Sequence, residues 1–356
     1  MNMKISFFVG FSAPLAASSL GFSEYLVSAF PSLGIGDNAH LLKKGIAVAV
    51  IFGLAGVHLR GMEFGSKVQN YLTVGKVVLI AALVTVGFAI GQGDLGGFRE
   101  RVAVDGPDVS WKAIGLSLMW IMFAYSGWNA SGYIGSEIAE PRRNLPRSLI
   151  LGTGVVLILY LSLNALFVYA VPPSEMSGVI AVGGLAASHL FGPVAERLVS
   201  LLIAFALLSA ISALIILGPR VYYAMAKDGY FFKLVADVDP VHRVPSKAIM
   251  LQCAIATVMV LSGTFDQILT YMGFCLGIFP ILAVLGVFKL PIHDNNMGRS
   301  ARYAVAATLF ASVSLAILVL AFFERPVEST IALATVGTGI PFYVAFARAK
   351  RHEQSK

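Results

Sequence analysis

The residues best suited to form a binding site lie in the middle of a long apolar segment. Residues 123–132 read Phe-Ala-Tyr-Ser-Gly-Trp-Asn-Ala-Ser-Gly, within an apolar segment that covers 111–133. Small and polar residues at that depth either let helices pack closely or let a helix unwind and offer its backbone groups to a ligand. Irregular backbone inside a membrane is tolerated only where it is buried in protein or lines a cavity. We favour a broken helix that binds a substrate.

A charged side chain within another apolar segment is the next most informative feature. Lys76 lies near the start of the segment 71–91, and a lysine at the centre of a spanning helix costs roughly 2.5–3.5 kcal/mol. Its long stem can reach the membrane surface and leave the ammonium in water. The alternative, which we favour, is an ammonium that faces the interior of the bundle, as ionisable residues on ion pathways do.

Three further polar residues in apolar segments are weaker signals. Ser209 and Ser212 are three positions apart and therefore share one face of a helix. They can contact a substrate, but hydrogen bonds to a neighbouring helix are the better interpretation. His58, close to the inner end of the segment 45–59, is interpreted as a residue of the membrane surface rather than a catalytic one.

Sequence patterns typical of enzymes are missing. The chain has no His-Glu-x-x-His, no Gly-x-Ser-x-Gly and no Gly-x-x-x-x-Gly-Lys-Ser/Thr. Its two cysteines, Cys253 and Cys275, both lie in apolar segments, which gives neither a disulfide framework nor metal-ligand spacing. We therefore expect no catalytic residue, no metal and no cofactor.

Helices that cross a membrane must position these residues. Hydrophobic residues make up 57% of the chain and charged residues 13%, and the mean hydropathy of +0.81 excludes an ordinary soluble domain. The sequence predicts an all-α integral membrane protein with one transmembrane domain over 1–347 and a cytoplasmic tail at 348–356. At roughly 20 apolar residues per crossing, the predicted spans are 7–30, 45–59, 71–91, 111–133, 149–171, 198–222, 248–262, 268–288, 303–322 and 331–346.

The distribution of Lys and Arg predicts the orientation. Seventeen of these residues lie in or beside the links that follow the even-numbered spans and in the tail, against six in the other links. Because positive charge marks the inner side, both termini are expected in the cytoplasm, in a multi-pass protein of the cytoplasmic membrane. The net charge of +7 is explained by this topology and not by nucleic acid. The amphipathic segment 183–195 is expected at the outer surface.

The fourth span and the loop after it resemble a known family. Phe-Ala-Tyr-x-Gly-Trp-Asn, a Glu, and then Pro-x-Arg-Asn-Leu-Pro-Arg are similar to the sixth helix of the amino acid–polyamine–organocation superfamily, and closest to bacterial amino acid permeases and L-type amino acid transporters. The segment from Val68 to Lys76 resembles the family's fifth helix. Residues 218–229 resemble the end of the eighth helix, and 244–247 the entry to the ninth.

The resemblance covers nearly the whole chain from Phe7 and implies a particular fold. In the family, five helices and their inverted repeat are followed by two more helices. The ten predicted spans correspond to the third to twelfth of these, so the fold is expected to lack its first two helices. An even number of missing helices leaves the orientation unchanged, in agreement with the charge distribution.

The resemblance also implies site residues. Phe123 corresponds to an aromatic gate over the substrate, and Ser126, Gly127 and Asn129 to the unwound stretch that meets it, with Ala124 beside them. Lys76 corresponds to a lysine that occupies the place of a sodium ion in sodium-independent members. The family's first helix, which supplies the other half of the site, has no counterpart here.

The implied function is secondary active transport of amino acids by alternating access around a broken helix at 123–132, as an antiporter or a proton symporter and without sodium. No charged residue lies in that motif, which favours a neutral amino acid. The alternative is a truncated or degenerate membrane protein that does not transport and acts as a partner or sensor. Expected partners are the amino acid and membrane lipid, with a second copy or a missing N-terminal segment as further possibilities.

Overall fold

The computed structural model describes residues 6–34, 38–94, 110–129, 138–289 and 297–354, and these ranges are mainly helical and contain no β-strand. One-turn helices occur at Pro31–Gly34, Ser126–Asn129, Pro173–Met176, Lys233–Val235 and Gly286–Lys289. The longer helices, in chain order, are α1 (Ser6–Ala29), α2 (Ala39–Leu59), α3 (Met62–Ile90), α4 (Trp111–Ala124), α5 (Pro141–Ala170), α6 (Val182–Phe191), α7 (Pro193–Lys227), α8 (Ser246–Ser262), α9 (Phe265–Leu285), α10 (Met297–Glu324) and α11 (Pro326–Gln354).

Many of these helices have the dimensions of membrane spans. Within the described residues, seven are long and apolar enough to cross a membrane, namely α2, α3, α5, α7, α9, α10 and α11. Helix α8 is apolar but shorter. The predicted all-α membrane fold is confirmed, and the chain is a multi-pass membrane protein.

Several helices extend beyond the apolar segments from which they were predicted. Helix α2 begins at Ala39, α3 at Met62 and α5 at Pro141, each several residues before the apolar segment that it contains. Hydropathy falls where charged residues begin, whereas backbone hydrogen bonding continues through them. Pro141 suits the first turn of α5, because the first helical N–H groups have no partner within the helix.

The core is built around α1, which packs against α2, α7, α8 and α9. Its Ala13 and Ala16 are fully buried, and small residues allow helices to approach closely. The side-chain amide of Gln252 in α8 donates to two backbone carbonyls, those of Phe11 (3.3 Å) in α1 and Leu214 (3.1 Å) in α7. These contacts hold α1, α7 and α8 together.

Helix α4 is fixed by α9 and α10. At Gly115, buried in α4, a side chain would collide with Leu320 of α10. Met119, also in α4, is buried and packs beside Gly273 of α9. The first part of α4 is therefore anchored in the bundle, and this anchor positions the end of the helix.

The ends of α3 and α5 are joined to each other and to α6. The backbone N–H of Gln92 donates to the carbonyl of Leu190 in α6 (3.1 Å), and the N–H of Asp94 donates to the carbonyl of Tyr169 in α5 (3.1 Å). The Tyr169 hydroxyl donates to the carbonyl of Gly91 (3.1 Å). We call the two hydrogen bonds of Tyr169, with Asp94 and with Gly91, the α3–α5 junction.

Candidate functional site

The α-helix predicted to break does end at the motif. Helix α4 stops at Ala124, and Tyr125 caps it with its N–H donating to the carbonyl of Ile121 (3.1 Å). The chain continues as the one-turn 3₁₀ helix Ser126–Asn129. Residues 130–132 of the motif lie outside the described residues. Within the described part, the small residues coincide with the loss of regular α-helical hydrogen bonding.

A cavity of about 430 Å³ lies between this helix end and α5. Neither Gly127 nor Gly152 has a neighbouring atom within 4 Å of the place where a side chain would start, so the cavity has room at both positions. Its lining comes from Ala124, Tyr125, Gly127 and Trp128 on one side and from Ser148, Leu149, Gly152, Thr153, Val156 and Tyr160 of α5 on the other.

The predicted site residues at the end of α4 and in the one-turn helix after it do not all face this cavity. Ala124 and Gly127 line it, whereas Phe123 and Ser126 are not among its lining residues. Phe123 is half-buried and packs against the hydrophobic core. The side chain of Asn129 lies outside the described residues.

Tyr160 is a site residue that the sequence interpretation did not include. Its hydroxyl donates to the carbonyl of Ala124 (3.3 Å), one of the carbonyls that a helix end leaves without an intrahelical partner. Its ring meets that of Tyr125 edge to face, with centroids 5.2 Å apart. The sequence did contain a signal for Tyr160: a tyrosine within an apolar span needs a hydrogen-bond partner for its hydroxyl.

Lys76 lies apart from the cavity and is half-buried in α3. It makes no ion pair with the residues that the structure describes. Positions 69, 73 and 76 follow helical spacing on one face. Gln69 and Thr73 both contact Ser209 of α7, at 3.4 and 3.3 Å. Lys76 therefore shares the face of α3 that meets α7.

Both serines of α7 are fully buried and bonded to other helices. The Ser209 hydroxyl joins α7 to Thr73 and Gln69 of α3. The Ser212 hydroxyl lies 2.8 Å from Nε2 of His58 in α2. The two hydroxyls thus tie α2 and α3 to α7.

The interpretation of His58 as a residue of the membrane surface is wrong, because its side chain is 4% exposed. Its position near a helix end suggested contact with water. The link between α7 and α8 folds beside this end instead: the carbonyl of His242 lies 3.6 Å from where a side chain on Gly61 would start. Ser212 supplies the polar partner that burial requires.

Comparison with known proteins places these features in a family. The family described as amino acid permease matches residues 1–345. The b(0,+)-type amino acid transporter 1 of Mus musculus is 26% identical over 330 residues, which cover 92% of this chain and 67% of that protein. Its counterpart in Oryctolagus cuniculus is 28% identical over 281 residues, covering 79% and 57%.

A second group of relatives also matches. The large neutral amino acids transporter small subunit 2 of Oryctolagus cuniculus is 24% identical over 349 residues, covering 96% of this chain and 64% of that protein. The chain therefore spans about two thirds of the length of these relatives, or less.

Proposed function

The chain belongs to the amino acid permease family of the amino acid–polyamine–organocation superfamily, a family of transporters and not of enzymes, and on that premise we propose that it moves amino acids across the cytoplasmic membrane. The observation that carries the proposal is the end of α4 at Ala124, beside a cavity of about 430 Å³. A helix that stops inside the membrane leaves carbonyl groups that an amine can meet.

We assign roles in substrate binding to the residues of the motif. Ala124 and Gly127, which line the cavity, contact the substrate through backbone groups together with Ser126 and Asn129. Phe123 packs against the core, and we assign it the role of closing over the bound substrate. The segment 123–132 changes its exposure between the two faces of the membrane by alternating access.

Lys76 serves as a fixed positive charge in place of a sodium ion. Lys76 is half-buried and shares a face of α3 with two residues that contact α7. This supports an ammonium that points into the bundle and not toward lipid. Transport is then independent of sodium, as an antiporter or a proton symporter. The motif carries no charge, so neutral amino acids are favoured.

The proposed topology has ten spans within one domain over 1–347, with both termini and the tail 348–356 in the cytoplasm. The excess of Lys and Arg on one side supports it.

A second candidate function is that of a membrane protein that does not transport by itself and acts as a partner or sensor. One observation favours it: at Gly127 and Gly152 no atom lies within 4 Å of the point where a side chain would begin, so the described helices leave part of the cavity without a wall. A second copy of the chain or a further segment would complete the site.

Uptake by liposomes that contain the purified 356-residue chain tests the two candidates. We expect saturable uptake of a labelled neutral amino acid that is unchanged when sodium is replaced by choline. Uptake of one acidic and one basic amino acid is measured as well, each with and without a proton gradient. Uptake no greater than that of empty liposomes would refute transport by this chain. Saturable binding of the same amino acid in detergent would then favour the sensor.

A further inference from the structure

His58 is a buried ionisable residue that the proposed substrate site does not use. It lies in a helix long and apolar enough to span the membrane, is 4% exposed, and has Nε2 2.8 Å from the Ser212 hydroxyl. Ionisable residues are rare in such helices and usually mark ion or proton pathways. Imidazole is also the side chain whose charge most readily changes near neutral pH.

A small cavity reaches this imidazole. It has a volume of about 40 Å³, enough for one or two water molecules when about 10–15 Å³ suffices for one. Its lining consists of His58, Ile215, Ile216, Pro219, Arg220, Val244, Pro245 and Ile249.

The cavity lies at an irregular point of α7. Pro219 is inside that helix, and a proline has no N–H to donate to the carbonyl four residues earlier. That carbonyl belongs to Ile215, which lines the same cavity. The His58 imidazole, the Arg220 guanidinium and the Ile215 carbonyl are polar groups of the kind that hold a buried water.

The cavity is at the end of the bundle that positive charge assigns to the cytoplasm. Val244 and Pro245 belong to the link between α7 and α8, and the same link places the carbonyl of His242 beside Gly61 in the α2–α3 turn. In the proposed topology, residues of this link lie between the cavity and the cytoplasm.

No Asp or Glu is among the described residues that line the cavity, so a protonated His58 has no carboxylate partner there. From α7 the lining includes Arg220. The described part of α1 has ionisable groups only at Glu24 and Tyr25, near its other end. Those of α8 are Lys247, paired with Asp237 of the link at 2.6 Å, and Cys253.

The remaining neighbours include Arg60, which caps α2 two residues after His58. Helix α3 carries Lys67, Tyr71 and Lys76 in its side-chain-described part. In the link, Asp239 accepts hydrogen bonds from the backbone N–H groups of Val241 and His242. None of these groups lines the cavity.

We propose that His58 is a proton-binding site that is loaded from the cytoplasmic side through the cavity at Pro219. The proton comes from water and forms an N–H bond at Nδ1, the ring nitrogen that Ser212 does not contact. In the neutral tautomer that leaves Nδ1 free, Nε2–H already donates to the Ser212 hydroxyl, so protonation keeps this hydrogen bond and adds a positive charge to the ring.

The His58 site lies one helical turn from a second contact between helices. Ser209, one turn from Ser212 on α7, bonds to Thr73 and Gln69 of α3. A charge on His58 therefore acts on the surface of α7 that holds both α2 and α3. This second part rests on the proposed transport function, because it makes the packing of those helices depend on cytoplasmic pH during the transport cycle.

Titration by nuclear magnetic resonance tests the binding site without any transport. The chain, labelled in its six histidines and placed in lipid nanodiscs, is titrated over about pH 5 to 8. We expect one titrating resonance that disappears in His58→Gln and shifts its midpoint in Ser212→Ala. His189→Gln, which changes a histidine of α6, serves as the control and leaves that resonance in place.

A His58 resonance that stays constant over this range would overturn the proposal. Should His58→Gln fail to fold, Ser212→Ala and Ser212→Thr still identify the resonance: the first must move it, and the second, which keeps a hydroxyl, must move it less.

Uptake separates the proton site from its coupling to transport. With wild-type chain in liposomes, we expect uptake to change several-fold with the pH on the cytoplasmic side, and His58→Gln to flatten this dependence while His189→Gln keeps it. If His58 titrates but His58→Gln leaves the dependence intact, the coupling is refuted and the proton site stands. A wild-type chain that transports nothing refutes the proposed function, and the resonance titration still decides on His58.

Discussion

The hydroxyl of Tyr160 lies 3.3 Å from the carbonyl oxygen of Ala124 and joins the middle of α5 to the last residue of α4. The carbonyl belongs to a helix end, where four carbonyls lack intrahelical partners. Tyr160 therefore holds one of the groups that the proposed site offers to an amine. Its ring also packs against Tyr125, so the contact fixes both the backbone and the side chain at the start of the broken segment.

Replacing Tyr160 by Phe should weaken substrate binding without unfolding the protein. The change removes the hydrogen bond to Ala124 and keeps the ring contact with Tyr125. A hydrogen bond of this kind contributes about 0.5–1.5 kcal/mol, which corresponds to an increase of about two- to tenfold in the KM for uptake. Tyr71→Phe, at a position of α3 that is 79% exposed, is the matched control. Equal KM values for the two variants would exclude a role for Tyr160 at the site.

Filling the cavity at Gly127 should abolish binding and leave insertion intact. No atom lies within 4 Å of a side chain begun at Gly127, so Gly127→Trp enters open space and occupies part of the cavity of about 430 Å³. Binding of labelled amino acid and yield in the membrane are measured together. Gly53→Trp, at an equally open position on α2, controls for the bulk of the side chain. Undiminished binding by the Gly127 variant would place the substrate elsewhere.

Removing the charge of Lys76 should strongly reduce uptake. We expect Lys76→Ala to lose most of its activity and Lys76→Arg to keep part of it, because a planar guanidinium does not replace a compact ammonium. Uptake is measured with and without sodium. Lys112→Ala, at an exposed position at the start of α4, tests for a general effect of losing one positive charge. Normal uptake by Lys76→Ala in both media contradicts the proposed role.

Enlarging Gly115 should destabilise the anchor of α4. A side chain there collides with Leu320 of α10, and overpacking of this kind costs about 1–3 kcal/mol of unfolding free energy. Gly115→Leu is compared with Gly45→Leu, where α2 offers open space, by unfolding in mixed detergent. If the two variants unfold alike, Gly115 is not a close-packing position.

The sequence predicts features that depend on neighbouring residues along the chain. The end of α4 at Ala124 follows from small residues placed together within one apolar segment. The shared face of Ser209 and Ser212 follows from helical spacing, and both are used in helix–helix hydrogen bonds. Helical periodicity and hydropathy carry this information directly.

Features that depend on two distant helices were not predicted. Tyr160 meets a carbonyl 36 residues away, and His58 meets a hydroxyl 154 residues away. Periodicity tells which residues share a face of a helix but not which helix that face meets. For the same reason the sequence placed His58 at the membrane surface, although the link between α7 and α8 folds beside it.

The α3–α5 junction fixes one end of α5, from which the rest of that helix can tilt. Its two hydrogen bonds lie where both helices finish, and α5 otherwise packs mainly against α3 and α6. Helix α5 has 30 residues and extends about 45 Å from that end, so a tilt of about 5° displaces its far end by about 4 Å. Helix α3 is held to α7 by Gln69 and Thr73, so spin labels at Lys67 and Ser148 would register the tilt as a change in their separation, while labels beside Gly91 and Tyr169 would stay at a constant separation.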